Sequence, residues 1–301
     1  MVRPTGSYAV ITPARNEAAN LPRLARVLAR QSVPPERWIV VDNGSTDGTG
    51  DVARELAVEH GWVRLVSIPG ERTPRRGAPS VRAFQAGLAA LDRPVAFVVN
   101  HDADITVPPG YFARLLAEFA ADPELGIAGG TCYERHGGVW RQRFVTGTTV
   151  WGGCRMYRRE CLDAVQPLEE RLGWDGMAEA KANMCGWKTR LLPDLPFLHH
   201  RPEGQRDGAW AARVAQGRSA HYMGYRPWYL LLRALRHSLR GPAGLGLVWG
   251  YCSAALRREP RCADRRIRDY VRRQQRLGSV PDRVRETLGR RRAAGGEGAA
   301  R

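Results

Sequence analysis

Val98-Val99-Asn100-His101-Asp102-Ala103-Asp104-Ile105 is the stretch from which the fold can be read. An apolar run from Pro94 to Val99 ends in two carboxylates one residue apart, and Pro108-Pro109-Gly110 follows. The run reads as a buried strand, and the C-terminal ends of strands are where open α/β sheets bind ligands. In extended backbone, residues two apart point the same way, so Asp102 and Asp104 would repel each other without a cation between them. A hard divalent ion carried by a diphosphate meets that need, since carboxylate and phosphate oxygens suit magnesium or manganese. The same residues also fit a solvated acidic loop, and the surrounding chain has to decide.

Upstream, Ser7 to Thr12 is a short apolar run stopped by Pro13, hence a first strand and turn, and Ala18 to Arg30 carries Leu21, Leu24 and Leu28 at helical spacing. Trp38 to Val41 is a second strand ending at Asp42, followed by the polar turn Asn43-Gly44-Ser45-Thr46-Asp47-Gly48-Thr49 and a helix to about His60. Val63 to Ile68 is a third strand, Pro69 to Pro79 an arginine-bearing loop, and Ser80 to Leu91 a third helix. This alternation means βαβ units in a largely parallel sheet with right-handed crossovers. Asp42, Asp102 and Asp104, all ending strands, then gather at one sheet edge.

Downstream, Pro109 to Ala121 reads as a helix, Leu125 to Ala128 as a strand, and Gly129 to Val150 as irregular strands. Helices are expected near Arg159 to Val165 and from Met177 to Cys185, with a strand over Trp187 to Leu192. From about residue 201 the periodicity turns helical, giving an expected division into a catalytic part over 1–200, a helical region over 201–289 and a disordered basic tail over 290–301. Trp228 to His237 is both apolar and basic. It fits a helix whose arginine stems cover apolar surface, or one lying on an anionic membrane.

The 301 residues carry a formal net charge of +17, held almost wholly by arginine. That charge suits nucleic acid, an anionic membrane or phosphorylated small molecules, but no nucleic-acid recognition motif accompanies it. The six cysteines are scattered without a CxxC pair, which points to a reducing compartment. No signal peptide or membrane-spanning run is evident, so a cytoplasmic protein is expected, with the inner face of the membrane as the alternative.

Four motifs in order now carry a resemblance: Thr12-Pro13-Ala14-Arg15-Asn16-Glu17; Val40-Val41-Asp42-Asn43-Gly44-Ser45-Thr46-Asp47-Gly48-Thr49; Asp102-Ala103-Asp104; and Trp174-Asp175, with Gly152-Gly153 before it and Gly186-Trp187-Lys188 after it. Over roughly Ser7 to His200 the chain resembles the family 2 glycosyltransferases, nucleotide-sugar-dependent enzymes with the GT-A fold. The resemblance implies an α/β fold with a mostly parallel central sheet flanked by helices. It also implies that Pro13, Arg15 and Glu17 hold base and ribose, and that Asp42 accepts a hydrogen bond from the base over a turn shaped by Asn43, Gly44 and Ser45. Asp104 resembles the direct metal ligand, Asp102 its partner toward ribose or metal, and Asp175 the base that deprotonates the acceptor. His199 or His200 resembles a histidine placed near the metal and diphosphate. The chain departs from the pattern at His101, where apolar residues are usual, and at Trp174, where a second carboxylate is common.

A leaving diphosphate gathers negative charge, which a metal and bidentate arginines offset. Arg72, Arg75, Arg76 and Arg82 are candidates, Arg76 and Arg82 foremost. Ala103 and Gly153 complete the donor-binding set, with Gly152-Gly153 allowing close backbone approach. Asp175, before Gly176 and a helix, would be held ionised by terminal amides, as a base requires, though it could equally be a helix cap. With no second carboxylate evident beside the sugar, the transfer should invert. The expected donor is a UDP-sugar ahead of dTDP- or GDP-sugar, with Mg2+ or Mn2+. The acceptor is a saccharide, a lipid-linked molecule or a small metabolite. A nucleotidyltransferase and a non-catalytic nucleotide-sugar binder are the alternatives; the first would want a lysine-bearing glycine-rich loop after strand one.

Overall fold

Strands β1 (Tyr8–Ala14), β2 (Arg37–Asn43), β3 (Val63–Ile68) and β4 (Phe97–His101) run parallel in the order β3-β2-β1-β4. Their side chains alternate between two apolar layers. Tyr8, Val10, Trp38, Val40, Phe97 and Val99 join one, and Ala9, Ile11, Ile39, Val41 and Val98 the other. Helices α1 (Leu21–Ala29), α2 (Thr49–Glu59) and α4 (Tyr111–Ala121) feed the first layer, and α3 (Ala78–Ala89) feeds the second. Cover on both faces is why these strands read as near-continuous apolar runs. Because β2 and β4 lie on opposite sides of β1, the strand order reverses there, and the ends of β1 and β4 border the crevice where such sheets bind ligands.

The structure, a computed structural model, describes residues 6–71, 76–136, 138–143, 149–201, 208–239, 241–276 and 278. Arg72, Arg75 and the tail over 290–301 lie outside the described residues. The chain divides into two compact units, Met1–Arg143 with Val150–Pro202 and Phe144–Thr149 with Glu203–Arg301.

Past β4 the sheet of the first unit becomes mixed. β8 (Cys154–Arg158) is antiparallel to β4 and to β6 (Leu125–His136); β9 (Lys188–His199) runs parallel to β6; β5 (Ile105–Thr106) and β7 (Val139–Gln142) add antiparallel edges. The sequence over Cys154–Arg158 carries no clear strand signal. Two glycines precede it and an arginine interrupts its apolar pattern. That arginine, Arg155, is fully buried. It donates to the Val150 and Asp175 carbonyl oxygens, to Tyr157 Oη and, at 2.8 Å, to Glu179 Oε1. Glu179 also accepts the Val150 N–H at 2.8 Å. The pair therefore ties the chain entering β8 to α6 (Trp174–Met184). Helix α5 (Arg159–Ala164) lies between them in sequence.

The second unit holds α7 (Ala209–Tyr222), α8 (Pro227–Ser238), α9 (Leu245–Leu256) and α10 (Arg265–Gln274), within the region over 201–289 expected to be helical. Among the described residues no helix is long and apolar enough to cross a membrane.

Removing one partner of a buried ion pair strands the other's charge, at a cost of about 3–5 kcal/mol. Glu179→Ala should therefore lower unfolding stability by about that amount in a urea titration, and Arg155→Met with Glu179→Leu should recover at least half of the loss. A Glu179→Ala loss below about 1 kcal/mol would contradict this role.

Candidate active site

The loops after β1 and β2 are laced together by side chains acting as turn partners. Asn16, at φ 57, donates its N–H to Ser45 Oγ (3.0 Å) and accepts the Thr46 N–H on Oδ1 (2.9 Å). The Glu17 N–H donates to Thr49 Oγ1 (2.8 Å) and the Ala18 N–H to Asp47 Oδ2 (3.2 Å). Asp42 Oδ1 accepts the Ser45 N–H at 3.1 Å. Asn43 is buried and donates to the Pro79 carbonyl oxygen. Gly44 combines φ 65 with a close approach: a Cβ there would lie 2.6 Å from the Gly70 backbone. Asp42, Asn43, Gly44 and Ser45 thus form one fixed turn beside the Pro13–Glu17 loop.

At the end of β4 the two carboxylates have different surroundings. Asp104 is buried. Its Oδ2 accepts from Arg201 Nε at 2.8 Å, and its Oδ1 lies 3.5 Å from His199 Nε2. Arg201 also pairs with the buried Glu17. Burial alone would raise Asp104, but His199 and Arg201 outweigh it and hold the carboxyl down at about 2. No hydrogen bond or ion pair reaches the half-buried Asp102 carboxylate among the described residues; desolvation and the Asp104 charge push it up to about 7. Asp102 is thus the carboxylate whose charge is left unmet. Oxygen donors from the pair suit Mg2+ or Mn2+.

His199 is the histidine at this site. Its Nδ1 lies 3.3 Å from Glu134 Oε1, and its ring packs 4.7 Å from Trp151. Burial disfavours its charge, yet Asp104, Cys132 and Glu134 outweigh that and hold the imidazole up at about 11. In this state it is a counter-charge, and it would have to give up a proton before ligating a cation. His200 turns away, its Nε2 2.7 Å from Thr106 Oγ1. His101, the departure from the family pattern, is buried beneath the pair; burial lowers it to about 4, so it is neutral.

Gly152-Gly153 links these carboxylates to Asp175. The Asn100 side chain donates to the Gly152 carbonyl oxygen (2.6 Å) and the Asp102 N–H to that of Gly153 (2.8 Å). A Cβ on Gly153 would lie 2.7 Å from Asp102 Oδ2, and one on Gly152 3.2 Å from Asp175 Oδ2. Two consecutive glycines therefore stand against the two carboxylates, with Ala103 buried beside them. Asp175 lies in the first turn of α6, whose N-cap is Gly173, and it accepts the Gly176 N–H at 3.0 Å. It is not the cap itself.

The arginines divide. Arg82 is engaged by Glu71 and, at 2.6 Å, by Glu170, neither of which belongs to the carboxylate set. Arg15 donates to the Glu71 carbonyl oxygen at 3.5 Å. Arg76 precedes Gly77, where a Cβ would collide with the Arg171–Leu172 backbone just before Asp175. Arg201, Glu134, Arg155 and Glu179 are functional neighbours that no sequence motif marks. Two signals were present: Arg201 follows His199-His200 directly, and Glu179 stands four residues after Asp175, on the same helix face.

The family model for Glycosyl transferase family 2 matches residues 9–165, just over half of the chain. The polyprenol monophosphomannose synthase of Mycolicibacterium smegmatis is 34% identical over 184 residues, covering 54% of this chain and 66% of that protein. The succinoglycan biosynthesis protein ExoA of Rhizobium meliloti is 32% identical over 117 residues, 38% of this chain and 33% of ExoA. The chain thus spans just under two thirds of the first relative and a third of the second. Among solved structures, the mannosyltransferase PcManGT from Pyrobaculum calidifontis, in complex with GDP-Man and Mn2+, superposes with a TM-score of 0.56 at 19% identity, covering 84% of this chain and 76% of that one. S. aureus TarS 1-349 in complex with UDP-GlcNAc gives 0.50 at 17% identity, covering 71% and 65%. The α/β fold is the GT-A fold of these structures, and the chain belongs to glycosyl transferase family 2.

Proposed function

We propose that the chain transfers a sugar from a nucleoside-diphosphate sugar to an acceptor oxygen with inversion, holding Mg2+ or Mn2+ at Asp104 and Asp102. The observation that carries this reading is the Gly152-Gly153 crossing, which sets the Asp102 and Asp175 carboxylates against adjacent glycines. A bound divalent cation would supply Lewis-acid neutralisation of the charge gathering on the leaving diphosphate. The nucleotide sugars and Mn2+ of the structural neighbours support that donor class.

The chain's own residues do the rest. Asp42, whose Oδ1 accepts the Ser45 N–H, keeps Oδ2 to accept a hydrogen bond from the base. Pro13, Arg15 and Glu17 border the base and ribose, and Arg76 serves the phosphates; Arg82 would have to leave Glu71 and Glu170 to join it. Asp175, in the first turn of α6, is the base. Glu179 is locked to Arg155 and so is not available as a second nucleophile, which supports direct displacement. The unit containing residues 203–301 would then serve the acceptor, met in the cytoplasm or at the inner membrane face.

The relative that makes polyprenol monophosphomannose favours a second acceptor class, a polyprenyl phosphate. Its nucleophilic oxygen is already ionised and needs no base. Asp175→Asn separates the two. A hydroxyl acceptor predicts donor affinity within about twofold of the parent and transfer slowed about 10²–10⁴-fold; retained transfer removes Asp175 as base and leaves the phosphate acceptor. Calorimetry with UDP, dTDP and GDP in the presence of Mn2+ should find UDP tightest, and tightest binding of GDP would overturn the assignment of the base.

A further inference from the structure

Helices α8 and α9 present leucine where a surface helix presents charge. On α8, Leu230 and Ala234 are buried, while Leu231, Leu232, Leu235 and, at its C-cap, Leu239 are 51–81% exposed. At 3.6 residues per turn these four fall within an arc of about 100°. Arg236 and then Arg233 follow beyond its edge on the same helix, the Arg233 guanidinium lying 5.7 Å from the Tyr225 ring. The apolar side of α8 is therefore doubled, one face turned inward and one outward.

Helix α9 repeats the arrangement. Leu245–Leu256 contains no charged residue. Its inward face is fixed by glycine: a Cβ on Gly250 would collide with the Val214 carbonyl oxygen, and one on Gly217 of α7 with that of Leu247. With that face committed to α7, Trp249 (61% exposed) and Leu256 (84%) remain outside. A helix apolar all round belongs in a core or in lipid, and this one has half a core. At twelve residues it is about 18 Å long, short of the ~30 Å hydrocarbon layer, so it suits lying on a bilayer rather than spanning one.

The charge of this unit selects among the occupants such a face could have. Residues 203–301 hold 22 arginines against eight acidic residues, an excess of 14 within a chain whose net charge is +17. A second copy of the chain would match the leucines but meet that excess as repulsion. A nucleic acid would match the arginines and leave the leucines in water. An anionic bilayer matches both. We propose that the exposed leucine and tryptophan faces of α8 and α9 seat the chain on an anionic lipid surface. The inference draws on no step of glycosyl transfer, and it holds or fails whichever acceptor the enzyme uses.

The test uses the full chain with sedimented vesicles of phosphatidylcholine, with and without phosphatidylglycerol. Binding is expected to the anionic vesicles, and about tenfold or more weaker to the neutral ones. Leu235→Glu with Leu239→Glu, and separately Trp249→Glu, should each weaken it about tenfold or more. Val58→Glu, at an 85% exposed valine on α2, should bind as the parent does. Nucleotide binding, measured on the same preparations, should be unchanged in every variant, which separates loss of docking from loss of folding or of the donor site. Failure of the parent to bind phosphatidylglycerol vesicles would overturn the proposal. So would undiminished binding of the leucine and tryptophan variants, which would leave charge alone, or tighter binding to a random oligonucleotide than to vesicles. A parent dimer that these variants dissolve, with no vesicle binding, would assign the face to a second copy instead.

Discussion

Glu17, Asp102 and Asp104 bring negative charge together at the ends of two neighbouring parallel strands, and much of the first unit is arranged around meeting that charge. Like charges gathered in a partly buried site disfavour one another's ionised form. Arg201 meets part of the charge by bridging Glu17 and Asp104, and His199 meets part by lying between Asp104 and Glu134. Both cations arrive on β9 and the residues just after it, because β9 pairs antiparallel with the two-residue β5 that follows the Asp-Ala-Asp turn. The distant part of the chain is thereby recruited to the end of β4. Asp102 is left with its charge unmet, and that imbalance gives a divalent ion a reason to bind.

The second constraint is steric. A single backbone crossing separates the Asp102 and Asp175 carboxylates. Only glycine fits at Gly152 and Gly153 without displacing Asp175, Trp151 or Asp102. The crossing would be slack without support at its ends, and Arg155 supplies it. One buried guanidinium holds the Val150 carbonyl oxygen before the glycines and the Asp175 carbonyl oxygen beyond them, with Glu179 compensating its charge. Positioning at this site is thus built from backbone held by a buried ion pair.

Much of this could be read from the chain. The four parallel strands stand out because both of their faces are apolar, and Asp42, Asp102 and Asp104 follow as strand-end carboxylates. The polar turn after β2 was legible as a turn, but not as the partner that Asn16, Glu17 and Ala18 bond to, since lacing between loops leaves no periodic trace. β8 was missed because its arginine breaks the apolar pattern, and whether an arginine is buried depends on a glutamate 24 residues away. Helix α6 begins at Trp174, three residues before the expected start, because Gly173 takes the left-handed capping conformation (φ 89) and leaves Asp175 in the first turn. Arg201 and Glu134 become visible only once β5, β6 and β9 are paired.

The central claim is that Asp102 and Asp104 hold a divalent cation together with the donor diphosphate. The most direct measurement is an electron paramagnetic resonance titration of Mn2+ into the protein, with and without UDP, for the parent chain and for Asp104→Ala. The account predicts that UDP tightens Mn2+ binding to the parent and that Asp104→Ala loses the bound-ion signal in both conditions. Mn2+ bound equally well by Asp104→Ala, or bound to the parent with no response to UDP, would contradict it.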